Sequence, residues 1–480
     1  MEDRPVNYYV KHLFKHSAIY GLGDIGSKLL SFLLIPIHTY YLTIREYSIF
    51  SLFILFYSFM LTFYLLGINS GFIRHFLDEK HNKKNVFSSA FLFILIYNIL
   101  LSILIAILSE RLSYIFFNSP EYSEIFHYGA MILMLESLST LTLLIYRALN
   151  NPAGFVKAIL MKMFVIIISN ILFLSVWKMG LNGAVLGNLA GSASLLLVLS
   201  FKIKKFLNLK FSLKLCKKMF KYGIPTVPAV TALTILIMID QYLLKYFGYI
   251  DKVGIYAVGY KLGMALSIII SGFRLAWFPF IFQTAQQKNA PKIFSAVFNY
   301  FNLFLIFLYL IISIYIPVFF KYIFPNEYYE SVNLIPIVAL GYVFYGYYEN
   351  FMVGVYIKDK TNYIAVIITI SALLNITLNF ILIPAYNIYG AAIATAVSYI
   401  FLAVLGYVIS QRFFSVDYDF INSLKALITG SIILACMYAF GSYNIIIKLA
   451  LPLCYFPILY LLRFFKKEDI ELVKRIYKNV

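Results

Sequence analysis

Charge is scarce in this chain. Only 13% of its 480 residues are Asp, Glu, Lys or Arg, while 62% are hydrophobic and the mean hydropathy is +0.84. A globular soluble domain carries close to a quarter of its residues as charges, so this composition excludes a soluble enzyme and leaves no room for a large extramembrane catalytic domain. Cysteine is scarce too: Cys216, Cys436 and Cys454 lie far apart, without CxxC spacing or a neighbouring histidine cluster. Neither a disulfide framework nor a zinc site is indicated, and no metal or other cofactor is expected. A phosphate-binding GxxxxGK[ST] loop is missing, which argues against direct coupling to ATP. The first apolar run, 17–42, has no small-residue cleavage site and is expected to be a permanent span rather than a signal peptide.

What remains is a succession of long apolar runs. At about 20 residues per transmembrane helix, runs bounded by charge or turn clusters predict an all-α polytopic membrane protein with about fourteen spans. They fall at 17–42, 47–70, 86–109, 121–146, 158–177, 180–201, 222–244, 253–284, 294–320, 331–356, 363–384, 387–410, 426–441 and 445–462. Lys and Arg test this map, because short cytoplasmic loops carry the excess of positive charge. One set of alternate loops, with both termini, holds 29 of them, and the other set holds seven. Both termini are therefore expected in the cytoplasm. The formal net charge of +19 would suggest nucleic acid in a soluble protein. Here it resides wholly in the cytoplasmic loops and termini, facing anionic lipid, and no nucleic-acid partner is expected.

The chain also repeats itself. Lys15-His-Ser-Ala-Ile-Tyr20-Gly21 resembles Lys217-Lys-Met-Phe-Lys-Tyr222-Gly223, at an offset of 202. Arg45-Glu-Tyr-Ser-Ile-Phe50 resembles Asp251-Lys-Val-Gly-Ile-Tyr256 at 206, and Gly183-Ala-Val-Leu-Gly187 resembles Gly390-Ala-Ala-Ile-Ala394 at 207. Three matches in one order predict two six-helix repeats, 1–201 and 222–412, joined by a basic cytoplasmic linker, 202–221, and followed by a helix pair and basic tail, 413–480. An even number of spans gives the repeats parallel topology about an axis along the membrane normal, with the substrate path at their interface.

Eight ionisable residues fall inside the spans: Asp24, Lys28, Glu136, Lys162, Asp240, Lys261, Arg274 and Glu349. Facing lipid, they would together cost on the order of 20 kcal/mol even on the mildest scale, so they must face one another or a wet cavity. Asp24 and Lys28, four apart, share one face of the first helix. They read either as a self-neutralising pair or as a site in which Lys28 meets an anionic substrate and Asp24 orients it or binds a coupling ion. Asp240 and Lys261 lie at similar depth and can pair across a hairpin. Lys261 and Arg274, 13 apart, are about 220° apart on a straight helix; both line one cavity only if the helix bends, and Pro279 lies too near the inner end to provide that bend. Glu136, Lys162 and Glu349 read as structural partners across helices. Arg74, at an inner span end, reads as a phosphate contact or as a snorkelling side chain. Pro36, Pro225 and Pro228 place helix breaks in the first and seventh spans. Tyrosines such as Tyr40, Tyr41, Tyr246, Tyr328, Tyr329, Tyr345, Tyr347 and Tyr348 read as an interfacial belt.

The opening Tyr20-Gly-Leu-Gly-Asp-Ile-Gly-Ser-Lys-Leu-Leu-Ser-Phe-Leu-Leu-Ile-Pro36, followed by Tyr41-Leu-Thr-Ile-Arg-Glu-Tyr-Ser-Ile-Phe50, resembles the polysaccharide-transporter branch of the multidrug/oligosaccharidyl-lipid/polysaccharide exporter superfamily. The resemblance extends through the duplicated halves and the basic linker. It implies a bacterial inner-membrane flippase, not an enzyme, that moves an undecaprenyl-pyrophosphate-linked oligosaccharide (an O-antigen or capsule repeat unit) to the outer leaflet, in concert with polysaccharide polymerase machinery. It also implies a cavity between the halves near Lys28, Arg74, Lys261 and Arg274 as substrate contacts. Asp24 or Asp240 is expected to serve coupling to H+ or Na+. Competing readings are a lipid II flippase, a cation-coupled multidrug antiporter and, from other classes, a membrane polysaccharide polymerase or glycosyltransferase and a purely structural membrane scaffold. The basic residues argue against the antiporter, and the short outer loops without His, Asp and Glu clusters argue against the polymerase.

Overall fold

In the computed structural model, residues 25–26, 28–208, 210–440, 448 and 450–465 are described. All their regular elements are helices, and eleven of these helices are long and apolar enough to cross a membrane. Many large apolar side chains along them are exposed, among them Leu100, Ile107, Leu197 and Phe201. Such surfaces require lipid rather than water. The protein is a multi-pass membrane protein.

Contacts group the chain into two compact units that divide between Ala257 and Val258. The first contains α1 (residues 28–41), α2 (Ile44–Leu65), α3 (Ile68–Leu77), α4 (Lys83–Ile107), α5 (Ser109–Phe117), α6 (Ser123–Ala148), α7 (Pro152–Ile171), α8 (Gly180–Phe206), α9 (Leu213–Gly223), α10 (Val227–Tyr246) and the first half of α11 (Ile250–Gly263). The second contains the rest of α11, then α12 (Leu266–Thr284), α13 (Ala290–Ile323), α14 (Ile335–Phe351), α15 (Val353–Ile357), α16 (Asn362–Gln411), α17 (Phe420–Phe440) and a short terminal helix, Tyr455–Leu461. Part of the expected last span, 445–462, lies outside the described residues.

Local chemistry sets several boundaries. Thr43 and Glu46 close a reciprocal capping box at the start of α2, which satisfies two backbone donors that a helix N-terminus otherwise leaves free. The span expected at 47–70 is interrupted: Leu66 (φ 46°) and Gly67 (φ 69°) are both left-handed, and α3 starts afresh. The reason is a close approach. A Cβ on Gly67 would lie 2.2 Å from the Gly223 carbonyl oxygen, and one on Gly71 would lie 2.1 Å from that of Met219. α3 and α9 thus meet backbone to backbone, as small residues allow in membrane helices. Phe72, Phe76, Cys216, Met219 and Phe220 belong to the core around that contact. The expected linker, 202–221, is correspondingly ordered: α8 reaches Phe206 and α9 begins at Leu213.

The second unit corrects another expectation. The span expected at 253–284 is two helices, broken at Met264–Ala265, while Pro279 stays inside α12. The break lies between Lys261 and Arg274, so the straight-helix phase that set them 220° apart does not apply. Just before the break, Gly259 and Gly263 let α11 pack closely: a Cβ on Gly259 would lie 2.6 Å from the Ser331 carbonyl oxygen, and one on Gly263 would lie 2.8 Å from Val338. α16, in contrast, breaks where the turn between the spans expected at 363–384 and 387–410 places it. Asn387 (φ 57°, ψ −131°) interrupts one 50-residue helical run. In the first unit the matching connection after α7 turns at left-handed Lys178 (φ 49°) and Gly180 (φ 54°). Each turn is followed by a glycine of the Gly-Ala motif that clears the preceding arm, Gly183 beside Phe173 and Gly390 beside Leu382.

Candidate functional site

Inside the first unit, α6, α7 and α8 are tied together by one carboxylate. Lys162 donates from Nζ to Glu136 Oε1 at 2.7 Å, and Ser192 donates from Oγ to Oε2 at 3.1 Å. Both charged side chains are nearly buried, at 14% and 13% exposure, so each neutralises the other where a lone charge is expensive. Glu136 and Lys162 were each expected to pair across helices, and they pair with one another. The pair also has a second face. It lines a cavity of about 500 Å³ together with Asn69, Ser70, Thr140 and Arg147, with the Arg147 guanidinium 4.7 Å from the centroid of the Phe155 ring. The wall offers two cations against one carboxylate, plus amide and hydroxyl groups, and can hold a hydrated anionic group.

In the second unit, Arg274 donates from Nη1 to Glu349 Oε1 at 3.2 Å, and the Tyr345 hydroxyl donates to the same oxygen at 3.1 Å. Burial is lopsided: the Glu349 side chain is 5% exposed and that of Arg274 is 52% exposed. Glu349 anchors the guanidinium, and about half of the Arg274 side chain stays exposed. The sequence expects Glu349 to pair across helices without naming its partner, and Arg274, 75 residues away, is that partner.

The remaining sequence candidates are distributed as follows. Lys28 is half-buried on α1, whereas Asp24 lies outside the described residues. Arg74 is exposed and lies 4.6 Å over the Tyr222 ring, a cation–π contact that explains its orientation. Asp240 is fully buried and accepts a 2.6 Å hydrogen bond from the Tyr256 hydroxyl. Lys261, half-buried, falls in the second unit. Pro36 lies within helical residues 28–41, while Pro225 and Pro228 occupy the first turns after α9, in a 3-10 segment and α10. Tyr40, Tyr246 and Tyr329 are exposed, as an interfacial belt requires, whereas Tyr328, Tyr347 and Tyr348 are buried and cannot belong to one. Tyr347 donates to Asn302, and its ring packs on Phe298; these rings are core of the second unit.

At the turn from α3 to α4, outside the spans, burial, the nearby His81 and the cations Lys218 and Arg74 lower the pKa of His75. The backbone N–H of Lys80 holds the Asp78 carboxyl below its ordinary value.

This fold is shared with solved transporters. A lipid II flippase MurJ in an inward closed conformation superposes with TM-score 0.71 at 17% identity, over 92% of this chain and 98% of that one. An inward-facing multidrug resistance MATE family transporter of the MOP superfamily gives 0.67 at 13% identity, over 82% and 97%. An outward-facing one gives 0.56 at 14%, over 84% and 95%. No curated protein matches the sequence. Residues 13–285, more than half of the chain and a stretch that includes Asp24, Lys28, Arg74, Asp240, Lys261 and Arg274, match the family described as polysaccharide biosynthesis protein, and the chain belongs to that family.

Proposed function

We propose that this protein is a flippase that carries a polyprenyl-pyrophosphate-linked oligosaccharide, an O-antigen or capsule repeat unit, from the cytoplasmic to the outer leaflet of a bacterial inner membrane by alternating access. The observation that carries the reading is the state of Arg274: an intramembrane guanidinium, anchored by buried Glu349 and half open, in a chain of the polysaccharide biosynthesis family. A lipid pyrophosphate brings two or more negative charges into hydrocarbon. A fixed guanidinium offsets their desolvation through charge-assisted, bidentate hydrogen bonds. Lys28, Lys261 and Arg74 supply further positive charge along the path, and the polyprenyl tail stays in lipid while the head group crosses. Asp24 or buried Asp240 couples the cycle to H+ or Na+. The 29-to-seven distribution of Lys and Arg supports cytoplasmic termini, and the repeat offsets support two parallel halves. The product, delivered to the outer leaflet, is the substrate of polysaccharide polymerase.

The test is a leaflet-resolved assay of lipid-linked oligosaccharide in cells lacking the protein, complemented with wild type or Arg274→Gln. The reading expects the intermediate to accumulate on the cytoplasmic leaflet in the deletion strain and wild type to relieve it. Unchanged transport in the deletion strain would overturn it. The likeness to the lipid II flippase over 92% of this chain favours lipid II as the second reading. Accumulation of lipid II in place of the oligosaccharide precursor would select it.

A further inference from the structure

The turn between α3 and α4 brings together three side chains with no part in the transport reading. His75 occupies the last turn of α3, Asp78 caps it, and His81 follows on the turn. One candidate ligand atom from each lies within 4.8 Å of the other two, and the imidazole rings are 5.5 Å apart at 61°. The backbone fixes this arrangement. The His81 N–H donates to the Asp78 carbonyl at 3.1 Å, and the Lys80 N–H donates to Asp78 Oδ1 at 3.0 Å. A second, independent observation points to a ligand: Nδ1 of His75 is buried and has no hydrogen-bond partner, a condition that costs free energy unless something supplies the missing contact.

We propose that His75, Asp78 and His81 form a binding site for a late first-row divalent cation of the zinc type. Two imidazoles and one carboxylate suit such an ion, whereas Mg2+ and Ca2+ prefer sets made entirely of oxygen. Metal–ligand bonds of about 2.0–2.2 Å need the ligand atoms somewhat closer together than 4.8 Å. Rotation of the partly exposed His81 ring on the turn supplies that closure while Asp78 keeps its bond from the Lys80 N–H. The negative end of the α3 dipole lies at the same place and favours a cation. Arg74, Lys80, Lys83, Lys84 and Lys218 oppose it, so the site binds less tightly than a structural zinc centre. Three protein ligands leave one coordination position open to water or to an anion. A bound ion ties the end of α3 to the start of α4.

The test uses tag-free, full-length protein in detergent, freed of metal by chelator and titrated with Co2+ and then Zn2+. The site predicts about one equivalent of Co2+ with visible ligand-field absorption, displaced by Zn2+ and indifferent to excess Mg2+. His75→Ala, Asp78→Ala and His81→Ala should each weaken binding at least tenfold, while His127→Ala, on an exposed histidine elsewhere, should not. His81→Gln, on the partly exposed turn, provides the decisive comparison if His75→Ala does not extract as a folded protein. Absence of saturable binding, or binding by His81→Gln equal to wild type, would overturn the assignment.

Discussion

Ser48 and Gly254 touch: the Gly254 N–H donates to Ser48 Oγ at 2.7 Å, and the two residues are 206 apart in sequence. Arg45 and Asp251, which form an ion pair at 3.2 Å, are also 206 apart. That separation is the offset at which Arg45-Glu-Tyr-Ser resembles Asp251-Lys-Val-Gly. A residue can contact its own counterpart only close to a twofold axis, so these two contacts support the reading of a duplicated chain.

The two contacts differ in weight. A Cβ on Gly254 would lie 2.9 Å from the Ile44 carbonyl and from Ser48 Oγ, so Gly254→Leu must push α2 and α11 apart. Its melting temperature in detergent should fall by several degrees, as for overpacking worth about 1–3 kcal/mol. Arg45→Ala removes an exposed pair worth about 0.2–1 kcal/mol and should leave melting nearly unchanged.

The Glu136–Lys162 pair separates a structural role from a transport role. Lys162→Met strands a carboxylate that keeps only Ser192, and should cost about 3–5 kcal/mol. The double variant Glu136→Gln, Lys162→Met should recover most of that loss in thermal unfolding. Recovery of stability without recovery of transport would assign the cavity lined by Asn69, Ser70 and Arg147 to the substrate path.

Arg274 and Glu349 should behave asymmetrically. Glu349→Gln keeps an acceptor for Tyr345 and Arg274 but removes the opposing charge, so it should retain the fold and lower transport several-fold. Arg274→Gln should abolish transport in the leaflet assay, and Arg274→Lys should restore only part of it, because an ammonium lacks the planar fork. Equal transport in all three variants would remove Arg274 from the path.

Asn387 holds a backbone conformation that favours glycine (φ 57°, ψ −131°), and its side-chain oxygen is buried without a partner. Asn387→Gly should therefore leave stability unchanged or raise it by about 1 kcal/mol, whereas Asn387→Val should lower it by about 1–3 kcal/mol. Thermal unfolding of the two variants decides the point.

The residues that were legible in the sequence are those whose cause is local. The connection at Asn387, the Gly-Ala motifs and the 206-residue offset all show in short windows, and the cost of intramembrane charge alone says that Glu136 and Lys162 each need a partner. The break at Met264–Ala265 was not legible, because Met and Ala are both good helix formers and neither marks a stop. The pairing of Arg274 with Glu349 required knowing that α12 lies beside α14. Buried Tyr347 and Tyr348 carry the same composition as an interfacial belt, and only packing separates the two. The spacing of His75, Asp78 and His81 at intervals of three is visible in the sequence, but only the turn after α3 brings their side chains together.

Where α3 meets α9, Gly67 and Gly71 face the carbonyls of Gly223 and Met219. The seam is only as wide as two backbones, and Phe72, Phe76, Met219 and Phe220 pack around it. A Cβ at Gly67 or Gly71 would meet main chain, which cannot rotate aside as a side chain can, so either substitution would have to part the two helices.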